Sequence, residues 1–237
     1  MRSKILAILD SHGAIQALST ILLLGIMASV ISIWQSPADY LQGWYVLILY
    51  IHVPCSWIAL ALYAAIALLS LTFLITKEPM LDIIARAAAP VGICYTMVSL
   101  ITGSLWGRPT WGTFWVWDAR LTSMLMQLFI YLIYMVLQSN RHQADIHRAN
   151  ICAYFAIVTL INIPIIKFSV YMWNTLHQQS SVITLSGPKL DAAMLTPLLI
   201  NFFTLCCFAL LIIVISVRTA ILKKKLWRLN AKKGYNY

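Results

Sequence analysis

Long apolar runs alternate with short polar connections along this chain. Runs that match the roughly 20 residues needed to cross a hydrocarbon core fall at about 14–34, 53–76, 87–106, 119–138, 150–170 and 193–217. The pattern predicts an all-α integral membrane bundle of six transmembrane helices, with residues 1–237 forming a single membrane domain. No connection is long and polar enough for a separate soluble domain. The first run follows Arg2 and Lys4, as a signal peptide would. It is too long for a typical signal core and lacks a clean small-residue cleavage site, so it reads as a retained first helix.

Composition supports this reading. The chain is 61% hydrophobic and 10% charged, against roughly 45–50% and about 25% in soluble domains. A net charge of +10 would suggest nucleic acid in a soluble protein, but its placement argues otherwise. Seven of the 17 Lys and Arg residues lie in the last 20 positions, directly after an apolar run. The expected basic partner is therefore the lipid bilayer, and no nucleic acid is expected. The N-terminus, the 77–86 and 139–149 connections and the tail together hold 13 of the 17 cations. Arg108, Arg120, Lys167 and Lys189 are the four on the other side. The positive-inside rule then predicts both termini in the cytoplasm. Cys55, Cys94, Cys152, Cys206 and Cys207 all lie in or beside apolar runs, with no C-x-x-C or C-x-x-C-H among them. They read as small buried hydrophobes rather than a dithiol or a covalent haem attachment site.

The predicted outer connections are unusually aromatic. Eight of the nine tryptophans lie on or near that side, and only Trp227 lies inside. An aromatic belt is the simplest account, because indole rings favour the interface. A belt should line both interfaces, however, and this one is nearly one-sided. Trp106, Trp111, Trp115 and Trp117 also crowd into 12 residues, with Phe114 among them. If 111–122 forms an interfacial helix, Trp111, Trp115, Asp118 and Thr122 share one face, while Trp117 and Arg120 point elsewhere. Pro109, with Gly107 and Gly112, would make the turn into it. That face suits a planar, largely apolar ligand.

Two of the five histidines fall on the same side. His12, His142 and His147 are expected as solvated residues at the inner surface. His52, just before Pro54, and His177, after Trp173-Asn174-Thr175-Leu176, are predicted at one depth in different outer segments. A single such histidine is commonly just hydrogen-bonded at the interface. Two of them flanking a tryptophan-rich segment can fill both axial positions of one haem iron, with indole rings shielding the macrocycle. Arg108, Arg120, Lys167 and Lys189 are candidate partners for the propionates, and Arg120 could instead pair with Asp118. A structural zinc site lacks a suitable four-ligand set. No G-x-S-x-G, Walker A or H-E-x-x-H sequence occurs, so nucleophilic catalysis finds no support and an ATP-driven role would need another subunit.

Trp111-Gly-Thr-Phe-Trp-Val-Trp-Asp-Ala-Arg-Leu-Thr122 resembles the WWD signature of haem-handling proteins. His52-Val-Pro-Cys-Ser-Trp57 and Trp173-Asn-Thr-Leu-His-Gln178 resemble the two outer histidine motifs of the CcmC family of system I cytochrome c maturation. Larger WWD relatives such as CcmF and CcsA carry more spans and histidines. The resemblance implies a non-enzymatic protein that holds haem b non-covalently at the periplasmic face. His52 and His177 would be the axial iron ligands, and residues 106–122 the haem-contact segment, with Trp106, Trp111, Phe114, Trp115, Trp117, Asp118 and Arg120. It further implies delivery to the haem chaperone CcmE, with CcmA, CcmB and CcmD as partners, in a bacterial inner membrane or, alternatively, a mitochondrial one. Phe114 stands where the signature often has Trp, which keeps the ring but loses an indole N–H.

Two other readings fit parts of the pattern. A membrane subunit with an electron-transferring b-haem would want histidines paired within spans. A generic multi-pass transporter would account for Asn162, Asn201, Pro90 and Pro164, as would ordinary helix packing and kinks.

Overall fold

The structure, a computed structural model, describes residues 12–139, 146–178, 182 and 187–232. Apart from one isolated bridge between Asp39 and Gly43, the regular elements among these residues are helical. They are α1 (His12–Trp34), a 3-10 turn (Trp44–Ile48), α2 (Leu49–Thr76), α3 (Pro79–Trp111), α4 (Ala119–Ser139), α5 (Ile146–Thr159), α6 (Asn162–Met172) and α7 (Ala192–Lys232). Six helical stretches are long and apolar enough to cross a membrane, with α5 and α6 together forming the fifth. Their number is the predicted six. Arg2, Lys4 and the Arg141-His142 connector lie outside the described residues.

The connections follow local chemistry. Lys77 ends α2 in the left-handed conformation (φ 54°, ψ 23°), and its N–H closes onto Phe73 O at 2.8 Å. Pro79 then opens α3 at a position where no backbone donor is missed. The two longest-paired helices therefore form a tight hairpin. α2 and α3 form the centre of the bundle: α2 packs also on α5 and α7, and α3 on α4 and α7, while α1 packs against α7. Apolar side chains on the outward faces, such as Ile21, Leu24, Leu71, Ile101 and Phe203, are exposed. This is the arrangement expected where lipid, not water, is the solvent.

Many polar groups inside the bundle are paired across helices. Tyr131 of α4 is fully buried and donates its hydroxyl to Ala59 O of α2 at 2.7 Å. Its ring meets Tyr63 edge-on at 4.9 Å, and Tyr63 Oη lies 2.5 Å from Thr159 Oγ1. Tyr131 reaches this position over Gly92 of α3, where an added Cβ would sit 2.2 Å from Cζ. Tyr95 donates to Leu205 O of α7 at 2.7 Å, and Asn201 of α7 donates to Tyr50 O of α2.

Three expectations need correction. The interfacial helix over 111–122 does not form. Gly112 takes a left-handed conformation (φ 79°) and caps α3 through its N–H to Arg108 O. Asp118 then caps α4, with Oδ1 accepting from Leu121 N at 2.7 Å. Residues 113–117 between these two caps are not helical. Gly107 and Pro109 lie inside α3, so Gly112 alone makes the turn. The fifth span is not one helix. It breaks between Thr159 and Asn162 because Pro164 has no N–H for the Leu160 carbonyl; Ile163 N takes that oxygen instead at 3.0 Å. Finally, Cys55 and Cys152 are buried as expected, but Cys94 is exposed and Cys206 and Cys207 are half-buried. On a lipid-facing surface a thiol stays in apolar surroundings without being covered by protein.

The Gly92–Tyr131 contact leaves no room for a methyl group. Gly92→Ala is expected to destabilise the purified chain by about 1–3 kcal/mol, the usual cost of overpacking a tight core. Thermal unfolding in detergent measures this, and an unchanged midpoint would show that α3 and α4 can move apart freely.

Candidate functional site

The site is built on the last three turns of α3. His52 lies in the first turn of α2 and leans across onto α3. Its Nδ1 is 2.9 Å from Ser99 O. A carbonyl can only accept, so Nδ1 carries a proton, and in the neutral ring Nε2 keeps the lone pair. Thr102 Oγ1 lies 3.2 Å from the same nitrogen. Ser56 Oγ donates to His52 O at 2.8 Å and touches Ser99 Oγ at 2.5 Å, which ties the α2 turn to α3. The imidazole lies directly over Gly103, where a Cβ would meet Cε1 at 2.8 Å. Trp106, one turn on, meets the ring edge-on at 5.9 Å. Its indole N–H donates to Gln42 Oε1 at 2.9 Å, which holds the 35–43 connection over the helix end.

His177 reaches the same helix from a different segment. Its ring meets Trp111, the last residue of α3, edge-on at 4.8 Å. Nδ1 lies 3.7 Å from Asp118 Oδ2, longer than a hydrogen bond, and has no other partner. Thr175 forms the link between them. Its hydroxyl donates to Asp118 Oδ2 and accepts the His177 backbone N–H at 3.1 Å. Asp118 is only 8% exposed, so one carboxylate both caps α4 and orders the 175–177 turn. Burial, and then the Arg120 guanidinium, lower the pKa of His177 below the ordinary histidine value, and Asp118 opposes this only in part. The imidazole is therefore neutral at pH 7 and able to offer a lone pair.

His52, His177 and Arg120 lie within electrostatic range of one another. Arg120 is partly buried and donates to Ile166 O at 2.9 Å, so it braces α6 while its charge acts on both imidazoles. The structure thus gathers His52, His177, Trp106, Trp111, Asp118 and Arg120 at one end of the bundle. Trp115 is half-buried, with its indole N–H unpartnered, and meets Trp117 edge-on at 5.5 Å. Trp117, 75% exposed, and Phe114, 55% exposed, face outward. The Arg108 guanidinium lies 5.6 Å over the Phe114 ring and donates to Gly112 O. Of the other histidines, His147 is exposed, and His142 lies outside the described residues.

Sequence reasoning missed the groups that hold the rings. Gly103 had a signal, as a glycine within an apolar run often marks close approach of another group. Thr175, two residues before His177, fits the short hydroxyl turns that Ser and Thr make with a nearby N–H. Ser99 and Gln42 act across long sequence separations and had none.

Comparison with known proteins adds an independent line. The family model for CcmC, described as heme exporter protein C, matches residues 4–232. A heme exporter protein C of Bradyrhizobium diazoefficiens is 42% identical over 213 residues, covering 88% of this chain and 78% of that protein. The protein of the same name from Escherichia coli is 37% identical over 197 residues, covering 81% and 78%. A protein of Marchantia polymorpha, described as ccmC-like and mitochondrial in cytochrome c biosynthesis, is 47% identical over 176 residues, covering 74% of each chain. The chain belongs to the CcmC, heme exporter protein C, family.

Proposed function

We propose that this chain holds haem at its tryptophan-rich end, on the non-cytoplasmic face of the membrane, and presents it to the haem chaperone CcmE during c-type cytochrome biogenesis. The observation that carries the reading is the convergence of two neutral imidazoles, 125 residues apart in sequence, on the last turns of one helix. His52 has its Nδ1 proton committed to Ser99 O, and His177 turns its Nδ1 toward Asp118. In His52 this leaves Nε2 to ligate, the usual division of labour when a second group orients a metal-binding histidine; in His177 Nδ1 makes no hydrogen bond, and its approach to the Asp118 carboxylate favours Nε2 as the ligand there. Haem is the cargo. His52 and His177 are its axial ligands, and haem b is held without a covalent bond.

The remaining residues have roles that follow from their surroundings. Trp106 and Trp111 already contact the two imidazoles, so their faces border the macrocycle. Trp115, Trp117 and Phe114 extend the apolar ledge outward, where the chaperone would approach. Among the four cations on this side, Arg120 is the best partner for a propionate. It is partly buried within range of both histidines, whereas Lys167 and Lys189 are exposed and Arg108 is engaged by Gly112 and Phe114. The chain acts as a carrier rather than an enzyme. The energy for release comes from CcmA and CcmB, an ABC-type pair, with CcmD assisting. The expected membrane is the bacterial inner membrane, and the mitochondrial inner membrane is the alternative. Both termini are cytoplasmic.

Purified from haem-producing cells, the chain is expected to carry near-stoichiometric haem with a low-spin bis-histidine absorption spectrum. His52→Ala and His177→Ala should each lose that spectrum and cytochrome c maturation, while His147→Ala retains both. A colourless wild-type preparation sinks the reading; normal maturation in both outer variants sinks the ligand assignment.

Acid should release the haem in a defined window. A protonated imidazole cannot ligate, and the pKa of His177 is lowered, so its neutral form persists to more acid pH than in a free histidine. The stabilisation is complete above the unfolded value of about 6.5 and is lost only as pH falls through the lowered folded value. A Soret-band titration should therefore stay flat from pH 8 down to about 6.5 and fall below it. Loss beginning well above that value would contradict a buried neutral His177.

Orientation is tested by labelling. In a cysteine-free background, Tyr40→Cys should react in intact cells with a membrane-impermeant maleimide, and Trp227→Cys should react only after lysis. The opposite pattern would invert the topology.

A further inference from the structure

The opposite end of the bundle carries a second site. α3 packs against both α4 and α7, and between those two helices opens a cavity of about 510 Å³. Its lining is divided by chemistry. Toward the helix ends stand Arg86, Lys223 and Lys224, against the single carboxylate of Asp82. Toward the middle of the bilayer stand Pro90, Met135 and Ile215, all exposed at the lipid-facing surface. Between the two zones sits Gln138. It is only 5% exposed, it lines the cavity, and its Nε2 donates to nothing. A buried amide without an acceptor is costly, and here it adjoins a cationic rim.

We propose that this cavity binds the anionic headgroup of a membrane phospholipid, with Gln138 Nε2 and the Lys223 and Lys224 ammonium groups on the phosphate and an acyl chain lying along Pro90, Met135 and Ile215. The cationic excess selects a net negative headgroup over a zwitterionic one, as basic pockets between transmembrane helices do. The lateral apolar opening favours a lipid over free phosphate, because a soluble anion gains nothing from Met135 or Ile215. The site uses none of the residues that contact the two outer histidines, so it stands or falls apart from the haem reading.

The test is native mass spectrometry of the full chain in detergent, titrated with phosphatidylglycerol, phosphatidylcholine, inorganic phosphate or haem. One phosphatidylglycerol should be retained in preference to phosphatidylcholine, and excess inorganic phosphate should not displace it. Gln138→Leu and Lys223→Gln/Lys224→Gln should each weaken retention by at least about tenfold. Lys223 and Lys224 stand at the cavity's rim and Gln138 lies between its two zones, and an unaltered melting temperature without lipid confirms that both variants fold. Equal retention of the two lipids, equal retention by the folded variants, displacement by inorganic phosphate, or competition by haem would each overturn the proposal.

Discussion

Within hydrocarbon, a polar side chain has no water to fall back on, and the backbone of a neighbouring helix is often the nearest partner. The bundle uses this repeatedly. His52 donates to Ser99 O, Tyr131 to Ala59 O, Tyr95 to Leu205 O, Arg120 to Ile166 O and Asn201 to Tyr50 O. Each bond joins a side chain on one helix to a carbonyl on another, and together they tie α2, α3, α4, α6 and α7. Three of the five involve α3 or the α2 turn that carries His52. The position of the first imidazole is thus fixed by the same bonds that set the helices against each other.

The second imidazole depends on helix termination. α3 stops at Gly112 and α4 starts at Asp118, so the tryptophan-rich segment becomes a short non-helical strap rather than a helix with one aromatic face. This frees the Asp118 carboxylate to act twice. Oδ1 caps α4, a contact worth on the order of 1 kcal/mol, and Oδ2 accepts from Thr175. A continuous helix over 111–122 would have spaced Trp111 and Asp118 by helical geometry alone. The strap instead lets both of them close on His177.

The number of spans was legible because apolar run length is a direct physical requirement of the bilayer, whereas helix ends were not, since α3 begins eight residues before the run 87–106 and ends five after it. The gathering of His52, His177, Trp106 and Trp111 at one end of the bundle was legible because the span pattern puts their segments at the same ends of the runs. What was hidden was conformational. Trp111, Trp115, Asp118 and Thr122 have helical spacing, but spacing cannot reveal that Gly112 adopts a positive φ. Pro164 was visible as a kink, yet the break it causes is held by Asn162, which donates to Ser123 O and Gln127 Oε1 on α4. That pairing spans 39 and 35 residues of sequence and has no local signature. The contact of Gly103 with His52 is of the same kind.

The polar residues of α4 show why these hidden contacts matter. Arg120, Ser123, Gln127, Tyr131, Tyr134 and Gln138 recur every three or four positions and so form one inward stripe along the helix. Apolar helices in lipid have little to fix their register, since one leucine ridge packs much like the next. Interhelical hydrogen bonds in membranes average only about 0.6 kcal/mol each, so a single one would not hold α4 in place. Those made at Arg120, Ser123, Gln127 and Tyr131 add to about 2 kcal/mol and are made together in one register alone. A slip of one residue would rotate α4 by about 100° and break Arg120–Ile166, Asn162–Gln127 and Tyr131–Ala59 together. It would also carry Asp118 away from Thr175 and His177. The polar stripe therefore sets the height and rotation of Asp118 at the start of α4, and through Thr175 the place of His177.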